Sequence, residues 1–407
     1  MSKIIRLAVL SDLHFSSGSQ GVNATYVILD RPEVRKQNPY RDLIDLIDSE
    51  NLRADVVLCP GDITYQADQN ALRSAWDALN KIAGGLGAAH LLTATGNHDI
   101  SSRDVKDASP EVWEFLKALS PSYPYPSGSR VQWLSYWAQH YMIVEALDVR
   151  FVVLNSCNCH SRGGDEWKHG RVTDFTIATL MRELGDMPRS GLNILLCHHH
   201  PAKHPDLSQA SIDYSEMTQG SKLLSELGGR DEAWLVIHGH KHSPRLEYAQ
   251  SGGSEAPVIF SAGSMSAVLP PQYFAGAANQ FYIIEIDLDD VQDNGVVGKF
   301  EVWDWHEGQG WNRCRQGSRS GARISDGAGF GYRANLTSVA RDITTSIGGS
   351  PVTKWNDLVA RMPLLKYLTP VDLEKVKAKL KANHEIEVLT DSESWLPQEL
   401  HSMSKVS

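Results

Sequence analysis

Short apolar runs rich in β-branched residues alternate along the chain with amphipathic helical patterns. The apolar runs predict buried strands at Ile4–Leu10, Asp55–Cys59, His90–Thr95, Phe151–Leu154, Leu192–Cys197 and Trp234–Ile237. The amphipathic stretches between them predict helices at Tyr40–Asn51, Asn70–Ala83, Val172–Gly185 and Ser215–Leu227. This alternation is typical of a layered α/β fold.

Three later apolar runs follow one another without a helical pattern between them. They predict strands at Pro257–Ser261, Gln280–Asp287 and Lys299–Trp305. We therefore expect a second sheet packed on the first, forming a sandwich flanked by helices.

The pattern changes after Trp311. Four arginines in a Gly/Ser-rich run predict a basic loop that is either solvated, the commoner case, or meets a phosphate backbone: Arg313, Arg315, Arg319 and Arg323. Thr369 followed by Pro370 predicts a helix start. The apolar stripe of that helix either packs on its own protein or docks a partner or a second copy: Leu373, Val376 and Leu380.

Two long segments interrupt the alternation. The loop Phe15–Pro39 is a candidate substrate-binding element. The segment Ser101–His140 carries aromatics that form either its own small core, which we favour, or a cap that stacks on a base: Trp113, Tyr123, Tyr125, Trp133, Tyr136 and Trp137.

Composition limits the class of protein. The 407 residues are 42% hydrophobic and 22% charged, as in a soluble globular enzyme. Thirty-nine basic against 49 acidic residues give a net charge of −10, which does not imply a broad nucleic-acid surface but leaves room for a local basic patch. No signal peptide or membrane-length apolar stretch is evident, so we expect a cytoplasmic protein without a membrane partner.

Five scattered cysteines, an odd number, do not form a disulfide framework and favour a reducing compartment. The pair Cys157-Asn158-Cys159 is compatible with a soft metal. Because no second cysteine pair completes such a site, ordinary thiols are favoured there.

Five short polar motifs each follow a strand-like run. They are Asp12-Leu13-His14, Gly61-Asp62, Gly96-Asn97-His98-Asp99, His198-His199-His200-Pro201 and His238-Gly239-His240-Lys241-His242. Buried polar groups are costly unless they are paired or bind metal. Asp and His are ligands for divalent first-row metals, so the motifs predict a site for two cations such as Mn, Fe or Zn.

One carboxylate shared by both cations holds such a pair together, and Asp62 is the natural bridge. The metals would generate a bridging hydroxide that attacks a phosphoryl group. His98 is expected near this site without being forced to ligate, as the group that protonates a leaving oxygen or contacts the phosphoryl oxygens.

The set D-x-H, G-D, G-N-H-D, H-H-P and G-H-x-H resembles the calcineurin-like metallophosphoesterase superfamily over residues 4–305. The resemblance implies a four-layer α/β/β/α sandwich with a C-terminal extension. It also implies two ligand sets: Asp12, His14, Asp62 and His242 at one metal, and Asp62, Asn97, His199 and His240 at the other. In the family motif the ligand stands two residues before the proline, which selects His199, with His198 as second choice.

On this basis we divide the chain into a metallophosphoesterase catalytic domain, 1–310, and an extension, 311–407, of a loop followed by helices. One departure concerns the family pattern G-D-x-x-D, whose second Asp orients the catalytic histidine and is Tyr65 here. Asp68, Asp99 or a different arrangement of His98 are the alternatives. His98 and Asp99 are the catalytic candidates.

The function expected first is a dimetal phosphodiesterase. The H-H-P form resembles class III cyclic-nucleotide phosphodiesterases and glycerophosphodiesterases, with cAMP as the first candidate substrate.

The alternative is a DNA nuclease resembling the double-strand-break repair exonucleases, which carry an added C-terminal DNA-binding segment. The chain lacks the G-D-x-x-D-R-G and G-N-H-E motifs of phosphoprotein phosphatases, which disfavours that activity. A non-enzymatic scaffold is disfavoured because every candidate ligand is present. Expected partners are a nucleotide-type diester, nucleic acid in the alternative, and a second copy through the extension.

Overall fold

The computed structural model describes residues 3–18, 24–102, 112–160, 166–203, 215–250, 256–315, 323–392 and 396–403. The strands are β1 (Ile4–Val9), β2 (Val56–Cys59), β3 (His90–Thr93), β4 (Tyr141–Ala146), β5 (Val149–Leu154), β6 (Leu192–Leu196), β7 (Trp234–His238), β8 (Arg245–Tyr248), β9 (Val258–Ser261), β10 (Asn279–Asp287), β11 (Gly298–His306), β12 (Gly310–Arg313), β13 (Gly329–Phe330), β14 (Val352–Lys354), β15 (Ile386–Thr390) and β16 (Pro397–Ser402). The helices are α1 (Pro39–Glu50), α2 (Gln69–Leu86), α3 (Glu114–Lys117), α4 (Arg130–Gln139), α5 (Asp174–Asp186), α6 (Gly220–Gly228), α7 (Leu288–Asn294), α8 (Leu336–Ile347), α9 (Trp355–Arg361) and α10 (Pro370–His384), with short 3₁₀ turns at Glu166–Lys168 and Pro363–Tyr367.

Two sheets form the centre of the molecule. The first has the order β12-β11-β10-β1-β2-β3, with β13 beside β11, and its strands β1, β2 and β3 run parallel. The second has the order β4-β5-β6-β7-β9-β8, in which β5, β6, β7 and β9 run parallel. Parallel strands place their carboxyl ends at one edge of a sheet, and sites are built at that edge.

The sheets pack face to face between two layers of helices. One core joins side chains from both sheets, such as Val9, Leu58 and Ile194, and continues into α1 and α2. A second core lies on the outer face of the second sheet, where Val152 and Leu195 meet α5 and α6. Neighbouring residues of β5 enter different cores, as expected for a strand buried on both faces. The predicted four-layer α/β/β/α sandwich is confirmed.

The later strands depart from the prediction. β9 pairs with β7 in one sheet, whereas β10 and β11 extend the other sheet beyond β1, so the late strands do not form a sheet of their own. A helix, α7, also lies between β10 and β11. It has seven residues and buries only Leu288 and Val291, too few apolar positions to show a helical period in the sequence.

The extension folds around a core of its own. Its helices α8, α9 and α10 pack with a three-stranded antiparallel sheet of order β14-β16-β15. The predicted helix start is confirmed, because the Thr369 hydroxyl accepts the backbone N–H of Asp372. The expected stripe of Leu373, Val376 and Leu380 is buried within this unit. The prediction that residues 311–407 form a loop followed by helices is incomplete, because it did not include the short, partly polar strands β14 to β16.

The extension contacts the edge of the sandwich opposite the carboxyl ends of the parallel strands. Tyr367 Oη donates to Asp290 Oδ2 at 2.6 Å, and Asp290 lies just beyond Asp287, the residue of β10 that pairs with Ile4 at the start of β1. On the second sheet, the Arg333 guanidinium lies 4.2 Å from the ring centre of Tyr248. Among the described helices, none combines the length and apolar character needed to cross a membrane.

Candidate metal centre

The predicted metal ligands meet where β1, β2, β3, β6 and β7 end. Each motif lies at the end of its strand or within a few residues after it, so the two sheets bring five separate loops to one edge of the sandwich. The polar side chains gathered there are almost all buried: Asp12, His14, Asp62, Asp99, His198 and His199, with His240 and His242 partly exposed.

The backbone of these loops is unusual. Five of the gathered residues have left-handed backbone conformations, with φ of 54° at Asp12, 46° at His14, 53° at Asp62, 72° at His240 and 52° at His242. Such conformations cost free energy for residues other than glycine and concentrate at functional sites, where the surrounding structure holds them. Here they turn alternate side chains of each loop towards one common point.

Two glycines allow the loops to approach each other. A Cβ atom on Gly96 would lie 2.1 Å from Asp62 Oδ1, and one on Gly239 would lie 2.6 Å from Asp12 Oδ2. Gly61 makes a tight turn with φ of +113°. Gly96 and Gly239 serve instead to bring backbone close to a carboxylate.

One group of ligand atoms contains Asp12, His14 and His242, whose ligand atoms lie within 4.8 Å of one another. The Nε2 atoms of His14 and His242 are 3.1 Å apart, and His242 Nε2 is 3.2 Å from Asp12 Oδ1. Burial lowers the pKa of His14 to about 3, so its imidazole is neutral and has a lone pair to offer. Two converging imidazoles beside a carboxylate fit a divalent cation.

A second group contains Asn97, His198 and His240. Asn97 Oδ1 lies 2.9 Å from His198 Nε2 and 3.0 Å from His240 Nδ1. His198 Nδ1 lies 3.1 Å from the carbonyl oxygen of Pro60, which can only accept. His198 therefore carries a proton on Nδ1, and its Nε2 is directed at the site.

Asp62 lies between the two groups. Its Oδ2 is 3.4 Å from His198 Nε2 and 3.9 Å from His14 Nε2. Burial opposes ionisation, but the charges of His198 and His98 outweigh it and lower the pKa of Asp62. Its carboxylate is therefore ionised between the two sets of ligand atoms.

The histidine triplet separates into different environments. His198, the second choice from the sequence, is the member beside Asn97 and Asp62. His199 Nδ1 is 2.9 Å from Ser156 Oγ, and a ligand atom of His199 also lies within 4.8 Å of those of His198 and His240, with 4.6 Å between the ring centres of His199 and His240. Which histidine ring points towards Asp62 depends on the residue at which β6 ends. The number of residues between a histidine and Pro201 does not determine where the strand ends.

His98 lies at the mouth of the site and is held by the loop after β2. The backbone N–H of Gln66 donates to His98 Nδ1 at 3.1 Å, and the Tyr65 ring stacks on the imidazole at 5.3 Å between centres. The backbone N–H of Ala67 donates to the carbonyl oxygen of His98 at 2.7 Å. These contacts hold His98 through the backbone of Gln66 and Ala67 and the ring of Tyr65.

Asp99 and Asp68 have structural contacts instead. Asp99 accepts backbone N–H groups from Asp62 at 3.0 Å, Thr64 at 3.0 Å and Gly96 at 2.8 Å, so it joins the loops after β2 and β3. Burial and the nearby Asp62 carboxylate raise its pKa to about 7. Asp68 caps α2 and accepts the backbone N–H of Ser17 at 2.7 Å.

The aromatics of the 101–140 segment join the main core instead of forming a small core of their own. Tyr123 and Tyr136 are fully buried, and the rings of both lie against Trp137. The Tyr136 hydroxyl accepts the backbone N–H of Thr95 at 3.0 Å, just before Gly96 and Asn97. These aromatics support the loop after β3 from behind.

Sequence reasoning missed one aromatic residue of the site. The Phe274 ring stacks beside His242 at 6.1 Å between centres, and its neighbour Tyr273 is 75% exposed. A lone Tyr-Phe pair in a Pro/Gly-rich loop carries no signal, because only tertiary structure brings it to the metal ligands. A second aromatic ring, Tyr65, stacks on His98.

Two of the four arginines in the basic run after Trp311 form ion pairs. Arg313 Nη1 is 2.9 Å from Glu301 Oε2 and 3.1 Å from Asp326 Oδ1, and Arg323 Nη1 is 2.8 Å from Asp304 Oδ2. Arg319 lies outside the described residues. These pairs favour neither a solvated loop nor a phosphate-binding one.

The chain belongs to the calcineurin-like phosphoesterase family, which it matches over residues 5–244. Residues 328–382 match a second family, the calcineurin-associated winged helix-turn-helix, so the extension contains a winged-helix domain. No curated protein gives a significant match.

Solved structures give low similarity. The purple acid phosphatase PPD1 of yellow lupin (Lupinus luteus) is 14% identical, with 77% of this chain and 53% of that chain covered and a TM-score of 0.45. The 5′-nucleotidase precursor of Thermus thermophilus is 13% identical, with 74% and 54% covered and a TM-score of 0.37. The chain thus spans about half the length of either protein.

Members of this family hydrolyse phosphoester bonds. The family uses a dinuclear metal centre, and the described residues contain the His and Asp clusters that could hold one. Family membership does not specify the substrate, the metal ions or the role of each ligand.

Proposed function

We propose that this protein is a dimetal-dependent phosphodiesterase. The observation that carries the proposal is the convergence of seven ligand side chains into two groups that share Asp62. A member of a phosphoester-hydrolysing family with this arrangement has the groups needed to hold two divalent ions. When bound, the ions supply an activated water and neutralise charge on the phosphoryl group.

We assign the ligands from the contacts. Asp12, His14 and His242 would hold one ion, Asn97, His198 and His240 the other, and Asp62 both. This assignment replaces His199, the first choice from the sequence, by His198. Mn, Fe and Zn all accept oxygen and imidazole ligands of this kind.

His98 would donate from its ring N–H to the leaving oxygen. Because the backbone N–H of Gln66 donates to Nδ1, the ring proton is on Nε2, and that N–H would stabilise the negative charge that develops on the leaving oxygen. The Tyr65 ring, stacked on His98, limits rotation of the imidazole. Asp99 acts indirectly in this proposal, by fixing the loops that carry Asp62 and Asn97.

The aromatic groups favour a diester with two organic substituents. Phe274 stacks beside His242 and Tyr65 stacks on His98, so two aromatic rings lie next to the ligand groups. A nucleobase could stack on either surface, as bases do on aromatic side chains in nucleic-acid-binding proteins. A nucleotide diester, with cAMP as the first compound to try, is therefore the substrate class we propose.

The test is a parallel assay of the Mn²⁺-, Fe²⁺- and Zn²⁺-loaded full chain. The substrates are a cyclic nucleotide, a small acyclic diester, a phosphomonoester and DNA. Diesters should turn over with the highest kcat/KM, and Asp62→Asn should lose that activity. Activity confined to monoesters would contradict the phosphodiesterase assignment.

A nuclease is the second candidate, and the winged-helix domain at 328–382 is the observation that favours it. That domain lies at the opposite edge from the metal ligands, and β1 alone separates the edges by about 20 Å for six residues. Nucleic acid bound to the winged helix would therefore be tethered to the enzyme rather than aligned by that domain for cleavage.

Assays of DNA cleavage and DNA binding distinguish the nuclease from the small-molecule phosphodiesterase. A nuclease should cut single- or double-stranded DNA faster than a small diester and bind it with an affinity that falls steeply with salt. Preferential turnover of the small diester would reject the nuclease.

A further inference from the structure

A cluster of buried side chains adjoins the metal centre, and none of its members is among the proposed catalytic ligands, although a ligand atom of His199 lies within 4.8 Å of those of His198 and His240. Cys157, His160 and His199 are buried, and each offers one ligand atom within 4.8 Å of those of the other two. Cys157 and His160 come from the loop that follows β5, and His199 comes from the loop that follows β6.

His160 is arranged as metal-binding histidines usually are. Its Nε2 lies 3.0 Å from the carbonyl oxygen of His169, which can only accept, so the proton is on Nε2. The lone pair of the neutral ring is then on Nδ1, a buried atom with no hydrogen-bond partner among the described residues. A histidine that donates one N–H to a backbone carbonyl while the other nitrogen faces a cluster of ligands is the usual outer-shell arrangement of a metal site.

His199 has a comparable arrangement. Ser156 Oγ accepts the backbone N–H of His199 at 3.2 Å and lies 2.9 Å from its Nδ1. The hydroxyl donates to Nδ1 when that nitrogen is unprotonated, and an ion bound here would replace that hydrogen bond and take up the lone pair. Cys157 Sγ is 3.9 Å from the same nitrogen, close to the spacing of two ligands on one tetrahedral ion of about 3.5 Å, given Zn–S and Zn–N bonds of about 2.3 and 2.0 Å.

We propose that Cys157, His160 and His199 form a separate metal site for a borderline divalent ion such as Zn²⁺, adjacent to the proposed catalytic centre. The donor set separates the two sites chemically, because a thiolate with two imidazoles selects a softer ion than carboxylates with imidazoles do. An ion here would join the loops after β5 and β6. It would also give separate roles to the neighbouring histidines of the triplet, with His198 at the catalytic centre and His199 at this site.

The test uses the full-length protein loaded with Co²⁺ or Zn²⁺ alone. Cobalt bound to a thiolate gives a sulfur-to-metal charge-transfer band in the near ultraviolet, and the catalytic ligands contain no sulfur. We expect this band in the wild type, its loss in Cys157→Ser and its retention in Cys159→Ser, the matched control. Zinc content should fall by about one ion per chain in Cys157→Ser and in His160→Gln.

His160→Gln keeps the proposal testable if Cys157→Ser does not fold, because it leaves the thiol in place and should weaken the cobalt band. A wild-type protein that fills the carboxylate centre with cobalt but shows no thiolate band would overturn the proposal. Equal zinc content in the wild type and both variants would do the same, and would show that an ordered water or a packing contact satisfies His160.

Discussion

At the residue scale, two side chains next to the proposed metal ligands, Asp99 and His98, have different contacts. Asp99, chosen from the sequence as catalytic, accepts three backbone N–H groups and lies behind Asp62. His98, chosen with it, lies at the mouth of the site and is held by Gln66 and Tyr65. Motif membership identified both residues, but only the contacts distinguish positioning the loops from facing a substrate.

Replacing His98 by Asn should lower kcat for diester hydrolysis by about 10²-fold or more, the usual range for a general acid. The metal content should stay unchanged, because His98 is not among the proposed ligands. The measurement is kcat for a substrate with a poor leaving group and one with a good leaving group. The loss should shrink for the good leaving group, and an equal loss for both would contradict proton donation.

The pair His198→Ala and His199→Ala tests the ligand assignment. Both residues are buried, so each change creates a similar cavity and serves as the other's control. His198→Ala should abolish diester hydrolysis through loss of one catalytic ion, whereas His199→Ala should retain activity within about tenfold. Comparable activity in His198→Ala and the wild type would restore His199 as the ligand.

Gly96→Ala should disrupt the centre without any change of charge. The new Cβ would lie 2.1 Å from Asp62 Oδ1 and 2.2 Å from Asp62 N, both parts of a buried loop that cannot move aside cheaply. We expect loss of bound metal, measured by elemental analysis, and loss of activity. Gly185→Ala is the control, since its Cβ meets nothing within 4 Å and should change stability by less than about 1 kcal/mol.

At the scale of elements, the site depends on loops that begin where strands end. The sequence identified β1, β2, β3, β6 and β7 because buried parallel strands are nearly continuous apolar runs. It did not identify the pairing partners of β9 and β10, because partner choice depends on contacts between distant segments. The helix α7 was missed because seven residues show little periodicity.

The buried tyrosine of α4 links the inserted segment to the site. Tyr136→Phe removes the hydroxyl that accepts the Thr95 N–H at 3.0 Å and should cost about 1–3 kcal/mol of unfolding free energy. Urea denaturation measures this loss, with Tyr273→Phe, on a 75% exposed ring, as the control. Equal stability of the two variants would show that Tyr136 does not support the loop.

At the scale of the whole molecule, the winged-helix domain lies away from the metal ligands. Contacts such as Tyr367 with Asp290 attach it to the opposite edge. Three lysines of α10 pair with carboxylates of the same domain: Lys375 with Asp372, Lys377 with Glu374 and Lys381 with Glu387. The division of the chain at residue 310 and an oligomer formed through the extension stay predictions.

The separation of the two regions makes a prediction about activity. Charge reversal of Lys375 and Lys379 in α10 should leave kcat/KM for a small diester within about twofold of wild type, because charges more than a Debye length of about 8 Å away are largely screened. The same variant should bind DNA more weakly if the winged helix contacts phosphates. A large loss of small-diester turnover would instead place the extension at the active site.

The sequence by itself determined the class of fold and the residues from which a metal centre can be built. Strand burial and ligand chemistry leave local signals, since apolar runs mark buried strands and Asp, Asn and His at their ends are costly to bury without a metal or a partner. Tertiary structure decided which histidine of the triplet faces Asp62, what holds His98, that Phe274 joins the rim, and that Cys157 meets His199. Those outcomes depend on loop conformation and on contacts between segments far apart in the chain, and no local pattern encodes either.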